Sequence, residues 1–184
     1  MRQDARENRE RILVAAEAVF GASGATGSTE EVARRAGVGV ATVFRHFPTK
    51  EALIEAALLR HFAHLEERAR VLAVDPDPAA ALAALVRMMV ASGATKLTLA
   101  TALAPGGEHP PSVTAASRRL RSVVQVVLRR AQECGAARPA VRVDEVYLLV
   151  RALAHASATM RPRPGALHRA VDIVLAGLSV PGSG

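Results

Sequence analysis

Residues 28–53, Ser28-Thr-Glu-Glu-Val-Ala-Arg-Arg-Ala-Gly37-Val-Gly-Val-Ala-Thr-Val-Phe-Arg-His-Phe-Pro48-Thr-Lys50-Glu-Ala-Leu53, decide how this chain is read. Ser28 is placed to cap a helix, and Glu31, three residues on, completes a capping box by reaching back to the Ser28 N–H. Val32, Ala33 and Ala36 form the apolar face of that helix. Gly37 supplies the left-handed residue that commonly ends a helix, a conformation that costs glycine least. Val38 fills the turn, and Gly39–Phe47 is a short second helix with Val43 and Phe47 inward. Pro48 stops it, having no N–H and restricting the residue before it. A helix, a tight glycine turn and a short helix with small and basic residues outward is the arrangement of a DNA-reading helix-turn-helix.

The run from Ala33 to Leu53 resembles the N-terminal signature of the TetR/AcrR family of bacterial transcription regulators. The resemblance extends over residues 8–60 and takes in the preceding helix, Arg9-Glu-Arg-Ile-Leu-Val-Ala-Ala-Glu-Ala-Val-Phe20. It departs from the family at Phe44, where a tyrosine is usual, so a hydroxyl able to bond a phosphate is missing. Residues 21–27 lack a bulky residue before the cap, so the first connection is expected to be loose, without a hydrophobic staple. The resemblance implies an all-α protein. Its N-terminal three-helix domain, residues 1–48, would bind DNA. Its C-terminal helical domain, residues 49–184, would bind an effector and dimerise. It further implies a homodimer joined through the last two of about nine helices, with helices five to eight enclosing an effector pocket. A dimer would set two short reading helices about one DNA turn (~34 Å) or more apart, on a palindrome.

Composition agrees with an all-helical chain. Half of the 184 residues are hydrophobic but only 3% are aromatic, so Ala, Val and Leu must form the core, and alternating strand patterns are scarce. No apolar segment of signal-peptide type follows the charged N-terminus, and no uncharged apolar run reaches a membrane span. Cys134 is the sole cysteine, which fits a reducing compartment. A cytoplasmic protein without membrane partners is the expectation. The net charge of +7 suits an anionic partner, yet residues 1–50 hold eight basic against six acidic side chains, a net of only +2. The motif, not the bulk charge, carries the DNA argument.

Outside the motif the pattern predicts a first helix from Asp4 to Gly21 with Ile12, Leu13, Ala16, Val19 and Phe20 inward. A long fourth helix runs from Thr49 or Lys50 to Ala73, a fifth from Pro78 to Ser92, and a sixth from Thr95 to Ala104, with Ser92-Gly93 read as a helix end. Pro105–Pro111 is a loop. Helices follow over Ser112–Cys134, Asp144–Thr159 and Ala166–Leu178, and Pro181–Gly184 is expected to fray. The last helix has a wide apolar face (Leu167, Val171, Val174, Leu175, Leu178), which suits a partner surface.

Candidate DNA-contacting residues are Ser28, Thr29, Gly39, Val40, Ala41, Thr42, Phe44, Arg45, His46 and Lys50. Ala41 and Thr42 are small enough for base edges, Arg45 suits guanine or phosphate, and His46 and Lys50 suit phosphate. Candidate effector-lining residues are Phe62, Met88, Met89, Leu99, Leu103, Gln125 and Tyr147, which together favour a largely apolar small molecule. His61 and His64 are too isolated for a metal site, and Glu66–Glu67 are read as facing water. Cys134 is read as an inert small hydrophobe, and Arg118-Arg119-Leu-Arg121 and Arg129-Arg130 as a solvated helix face. No phosphate-binding loop, zinc-protease motif or Gly-x-Ser-x-Gly elbow occurs, so neither catalysis nor a cofactor or metal is expected. A ligand-responsive repressor, released from a palindromic operator by its effector, is the function these readings favour. The alternative is a small-molecule or metal-binding protein of the same fold that has lost specific DNA binding.

Overall fold

The computed structural model describes residues 2–160, 162–163 and 165–180. These form eight α-helices and no strand: α1 (Arg2–Ser23), α2 (Thr29–Ala36), α3 (Val40–His46), α4 (Lys50–Leu72), α5 (Pro78–Leu103), α6 (Pro111–Glu133), α7 (Val143–Met160) and α8 (Ala166–Leu178). The chain divides into two compact units. One holds residues up to 63 together with 95–116, and the other holds 64–94 together with 117–184. The expected fraying of Pro181–Gly184 lies outside the described residues.

In the first unit, α1 buries the stripe anticipated from its spacing, with Ile12, Ala16 and Phe20 fully enclosed. The connection to α2 is not loose, as expected from its small residues, but closely packed. A single 3-10 turn, Gly24–Thr26, leads into Gly27. A Cβ on Gly27 would sit 2.8 Å from the Phe20 ring and 3.0 Å from Val19. The small residues there permit contact between backbone and core. Leu53, Ile54, Ala57 and Leu58 of α4 complete this core.

In the second unit, the predicted break at Ser92-Gly93 does not exist: α5 is one helix of 26 residues, which is why eight helices stand where about nine were expected. Ser92 remains helical by donating its hydroxyl to Met88 O at 2.8 Å. Gly93 serves packing, not termination. A Cβ on it would lie 2.4 Å from Ala154 Cβ on α7, so the two helices cross where neither can carry a larger side chain. The helix starts as expected, with Pro78 in its first position and Asp77 accepting from the N–H groups of Ala79 and Ala80.

Among the described residues α5 alone is long and apolar enough to cross a membrane by length and composition. Its Leu82, Leu85, Val86, Met89 and Val90 are buried in the second unit and Leu99 in the first, the pattern of a core helix. Glu66 corrects another expectation. It is buried, held by Arg70 at 2.6 Å and Arg119 at 3.3 Å, because a carboxylate removed from water needs charged partners. The arginines of α6 are likewise more than a solvated face: Arg121 pairs with Asp144 at 2.6 Å, and Arg130 donates to Ala73 O at 2.9 Å. Cys134, the residue after the end of α6, is exposed.

Replacing an ordinary helical glycine by alanine stabilises by about 1 kcal/mol. At Gly93 the sign should reverse, because overpacking costs about 1–3 kcal/mol. Urea unfolding of Gly93→Ala should show a loss, and Ala154→Gly added to it should recover part of that loss.

Candidate nucleic-acid interface

The helix-turn-helix is built as its sequence requires, with one exception. Ser28 Oγ accepts from Glu31 N at 3.1 Å, forming the first half of the capping box. The second half is absent because the Glu31 carboxylate is taken by Arg34 (2.7 and 2.8 Å) and Arg35 (2.7 Å). The hydrogen bond from Arg35, then that from Arg34, holds this carboxyl below its ordinary range. Gly37 has φ 66° and ψ 38°, and Val38 N returns to Ala33 O at 3.1 Å, closing α2 as a Schellman turn. Phe47 is extended (φ −137°, ψ 97°) ahead of Pro48, and Thr49 Oγ1 caps α4 through Ala52 N at 3.1 Å.

These constraints sort the residues of α3. Val43 and Phe47 are buried, and the Arg9 guanidinium of α1 lies 5.1 Å from the centre of the Phe47 ring. Ala41, Phe44 and Arg45 are exposed, and Val40, Thr42 and His46 half-buried. Phe44 retains 43% exposure, large for a phenylalanine. Gly39 is exposed at the N-cap, Ser28 is exposed at the start of α2, and Thr29 is buried. Lys50, expected to meet phosphate, has an internal role: its Nζ donates to Ala25 O at 2.7 Å and lies 5.6 Å from the centre of the Phe20 ring. It ties the start of α4 to the 3-10 turn.

Sequence reading missed a polar cluster that joins α1 to α4. Arg60 donates to Glu10 and Glu17, each at 2.7 Å, and His61 Nδ1 lies 2.7 Å from the other Glu17 oxygen. His61 is buried, with its Nε2 meeting no hydrogen-bond partner in the protein. The clue in the sequence was slight: Glu10 and Glu17 interrupt no apolar stripe, and their partners lie more than forty residues away. His61 is thus paired with Glu17, while His64, three residues on, is exposed. Among the described residues no group of three metal-ligating side chains occurs. The hydrogen bond from His61 and the nearby Arg60 lower the Glu17 pKa in spite of its partial burial. Beside this cluster lies a cleft of about 400 Å³ bordered by Val14, Glu17, Gly21, Arg60 and Thr95.

The candidate effector residues fall in both units. Phe62 and Leu99 are buried and Leu103 half-buried in the first; in the second Met88 and Met89 are buried, Tyr147 is half-buried and Gln125 exposed. Tyr147 is unusual among them. Its hydroxyl is buried without a hydrogen-bond partner, and burial pushes its pKa up to about 12 although the Arg121 guanidinium lies 5.5 Å from the ring centre.

Comparison with known proteins bears on this architecture. The sequence model for bacterial regulatory proteins of the tetR family matches residues 12–57, and that for the C-terminal domain of SbtR-like transcriptional regulators matches residues 77–180. The chain belongs to the TetR family. It is similar to the TetR transcription regulatory protein from Mycobacterium vanbaalenii, at 33% identity over 97% of this chain and 99% of that one, with a TM-score of 0.78. A TetR transcriptional regulator from Streptomyces coelicolor is 32% identical over 94% and 99% of the two chains, also at a TM-score of 0.78. A ketosteroid transcriptional regulator of Mycobacterium tuberculosis, 24% identical over 94% and 95%, shares the fold at a TM-score of 0.64. No curated protein matches the chain by sequence. The protein is therefore a DNA-binding transcription regulator and not an enzyme.

Glu17 generates a pH prediction. Its pKa is lowered on folding, so its contribution is complete above the unfolded carboxyl value of about 4.3 and is lost as pH falls through the lower folded value. Near neutral pH, Glu17→Gln should cost about 1.5–3 kcal/mol in urea unfolding, the range for a hydrogen bond to a charged group. That deficit relative to the wild type should shrink below about pH 4.

Proposed function

We propose that this regulator is a repressor that binds a palindromic operator as a homodimer and leaves it when a small, largely apolar effector binds. In this reading residues 1–48 contact DNA, residues 49–184 bind the effector and dimerise, and the protein works in the cytoplasm. The observation that carries it is the outward face of α3. Ala41, Phe44 and Arg45 are exposed on a helix whose other side is anchored by Val43 and Phe47. Arg45 is assigned to a guanine edge or a phosphate, Val40, Ala41, Thr42 and Phe44 to base edges, and Ser28, Thr29, Gly39, His46 and Lys50 to the sugar–phosphate backbone. Lys50 serves there chiefly by placing the first turn of α4, given its bond to Ala25 O.

Dimerisation is assigned to α7 and α8, the eighth and ninth helices of the sequence reading. Leu148 is 69% exposed and Ile173 73%, with Leu149 and Met160 also exposed. Apolar side chains of this size in such number on two helices suit a partner helix pair. The effector is assigned to the candidate residues of each unit taken by itself, Phe62, Leu99 and Leu103 in the first and Met88, Met89, Gln125 and Tyr147 in the second, where the Tyr147 hydroxyl offers a polar handle to an otherwise apolar molecule. Release follows if the effector prefers the dimer geometry that does not fit the operator.

Selection of random duplex DNA by the purified protein, read by sequencing, tests the reading. It should enrich a palindrome, and binding should weaken steeply with salt as phosphate contacts are lost. A folded dimer that enriches nothing would favour a protein of this fold without specific DNA binding. Arg45→Ala should weaken operator binding about 5- to 150-fold, the equivalent of one bidentate base contact of ~1–3 kcal/mol, with little change in thermal stability. Leu148→Glu together with Ile173→Glu should convert the dimer to monomer in sedimentation and abolish operator binding.

A further inference from the structure

We infer that this regulator reads its operator chiefly through thymine methyl groups, with Phe44 seated against one of them and Arg45 contacting a neighbouring guanine. The inference rests on the proposed DNA-reading role of α3 and adds the chemistry of what that helix reads.

In the major groove, adenine is read by Asn or Gln, cytosine by Asp or Glu, guanine by Arg or Lys, and the thymine methyl by apolar side chains. Residues 39–47, Gly-Val-Ala-Thr-Val-Phe-Arg-His-Phe, contain no Asn, Gln, Asp, Glu or Lys. The helix therefore has no bidentate reader of adenine and no acceptor for cytosine. Arg45 alone can make the paired contact to guanine. The Thr42 hydroxyl discriminates little, and the His46 ring leans on Phe47, with centroids 6.3 Å apart.

Apolar readers remain, and the fold turns them outward. Ala41 and Phe44 are exposed and Val40 is half-buried. An aromatic ring left 43% exposed on a seven-residue helix gains most by covering apolar surface. Phosphates offer it no such surface, and the ring has no hydroxyl with which to bond them. On the major-groove edge of the bases the apolar group is the thymine C5 methyl.

Ala41, Phe44 and Arg45 are related by three and four residues, so they share one helical face within about 6 Å along the axis. That span covers one to two base-pair steps of about 3.4 Å. Each half-site should therefore carry a guanine with thymines within two base pairs of it.

The test uses the full-length protein and the duplex it enriches from random DNA. Deoxyuridine replaces thymine one position at a time, which deletes the methyl and leaves every base-pair hydrogen bond intact. Binding is measured by fluorescence anisotropy for the wild type, Phe44→Ala and Phe44→Leu. At the thymine facing Phe44 the wild type should lose about 4-fold in affinity, the equivalent of burying one methyl at about 0.8 kcal/mol. Phe44→Ala should bind thymine and uracil equally at that position, and Phe44→Leu should retain the preference. A wild type that binds every uracil duplex as tightly as its parent overturns the inference while leaving sequence-specific DNA binding in place. So does a Phe44→Ala protein as sensitive to methyl loss as the wild type. A folded dimer that enriches no duplex overturns the DNA-reading role and this inference together.

Discussion

Burial of Val43 and Phe47 is the interaction on which the interface depends. A seven-residue helix is far too short to persist alone in water, so α3 exists only because its inner side is held. Val43 is fully enclosed, and Phe47 is covered by the Arg9 guanidinium of α1. Once those two side chains are placed, the 3.6-residue period leaves Ala41, Phe44 and Arg45 outside. Gly37 and Pro48 set the two ends, one by a left-handed turn and the other by forcing Phe47 to be extended. The reading face is the complement of a small core.

α1 is the platform for that core, and several weak-looking sequence features are spent on fastening it. Gly27 lets the backbone meet Phe20, and Lys50 reaches back to Ala25 O across the 3-10 turn. Glu10 and Glu17 bind Arg60 and His61 on α4. An ion pair of this kind contributes little when exposed, but Glu17 and His61 are largely shielded from water, so removing one partner strands the other. The cluster fixes the register of α1 against α4 by direction as well as by apolar contact.

Local chemistry made much of this legible. Ser28, Gly37 and Pro48 act through their own backbone neighbours, and their effects could be read one turn at a time. The apolar stripes of α1 and α4 likewise follow from period alone, from Ile12 to Phe20 and from Leu53 to Leu58. The misreadings share a cause. Gly93 looked like a stop because glycine often ends helices, but it meets Ala154, sixty-one positions away. Glu66 looked solvated because glutamate usually is, but Arg119 on another helix makes its burial tolerable. Glu31 was given to Ser28 by the capping-box spacing, and two arginines on its own helix compete for it more strongly.

The sequence by itself determined the helical class, the helix-turn-helix, the family resemblance and the chemical content of residues 39–47, since these depend on residue type and near-neighbour spacing. Tertiary structure decided which glycines are turns and which are crossings, which charges are paired across helices, and that Phe44 stands exposed while Val43 and Phe47 do not. The physical reason is range. Caps, turns and helical periodicity act over three or four residues, whereas side-chain burial and ion pairing depend on groups that only folding brings together.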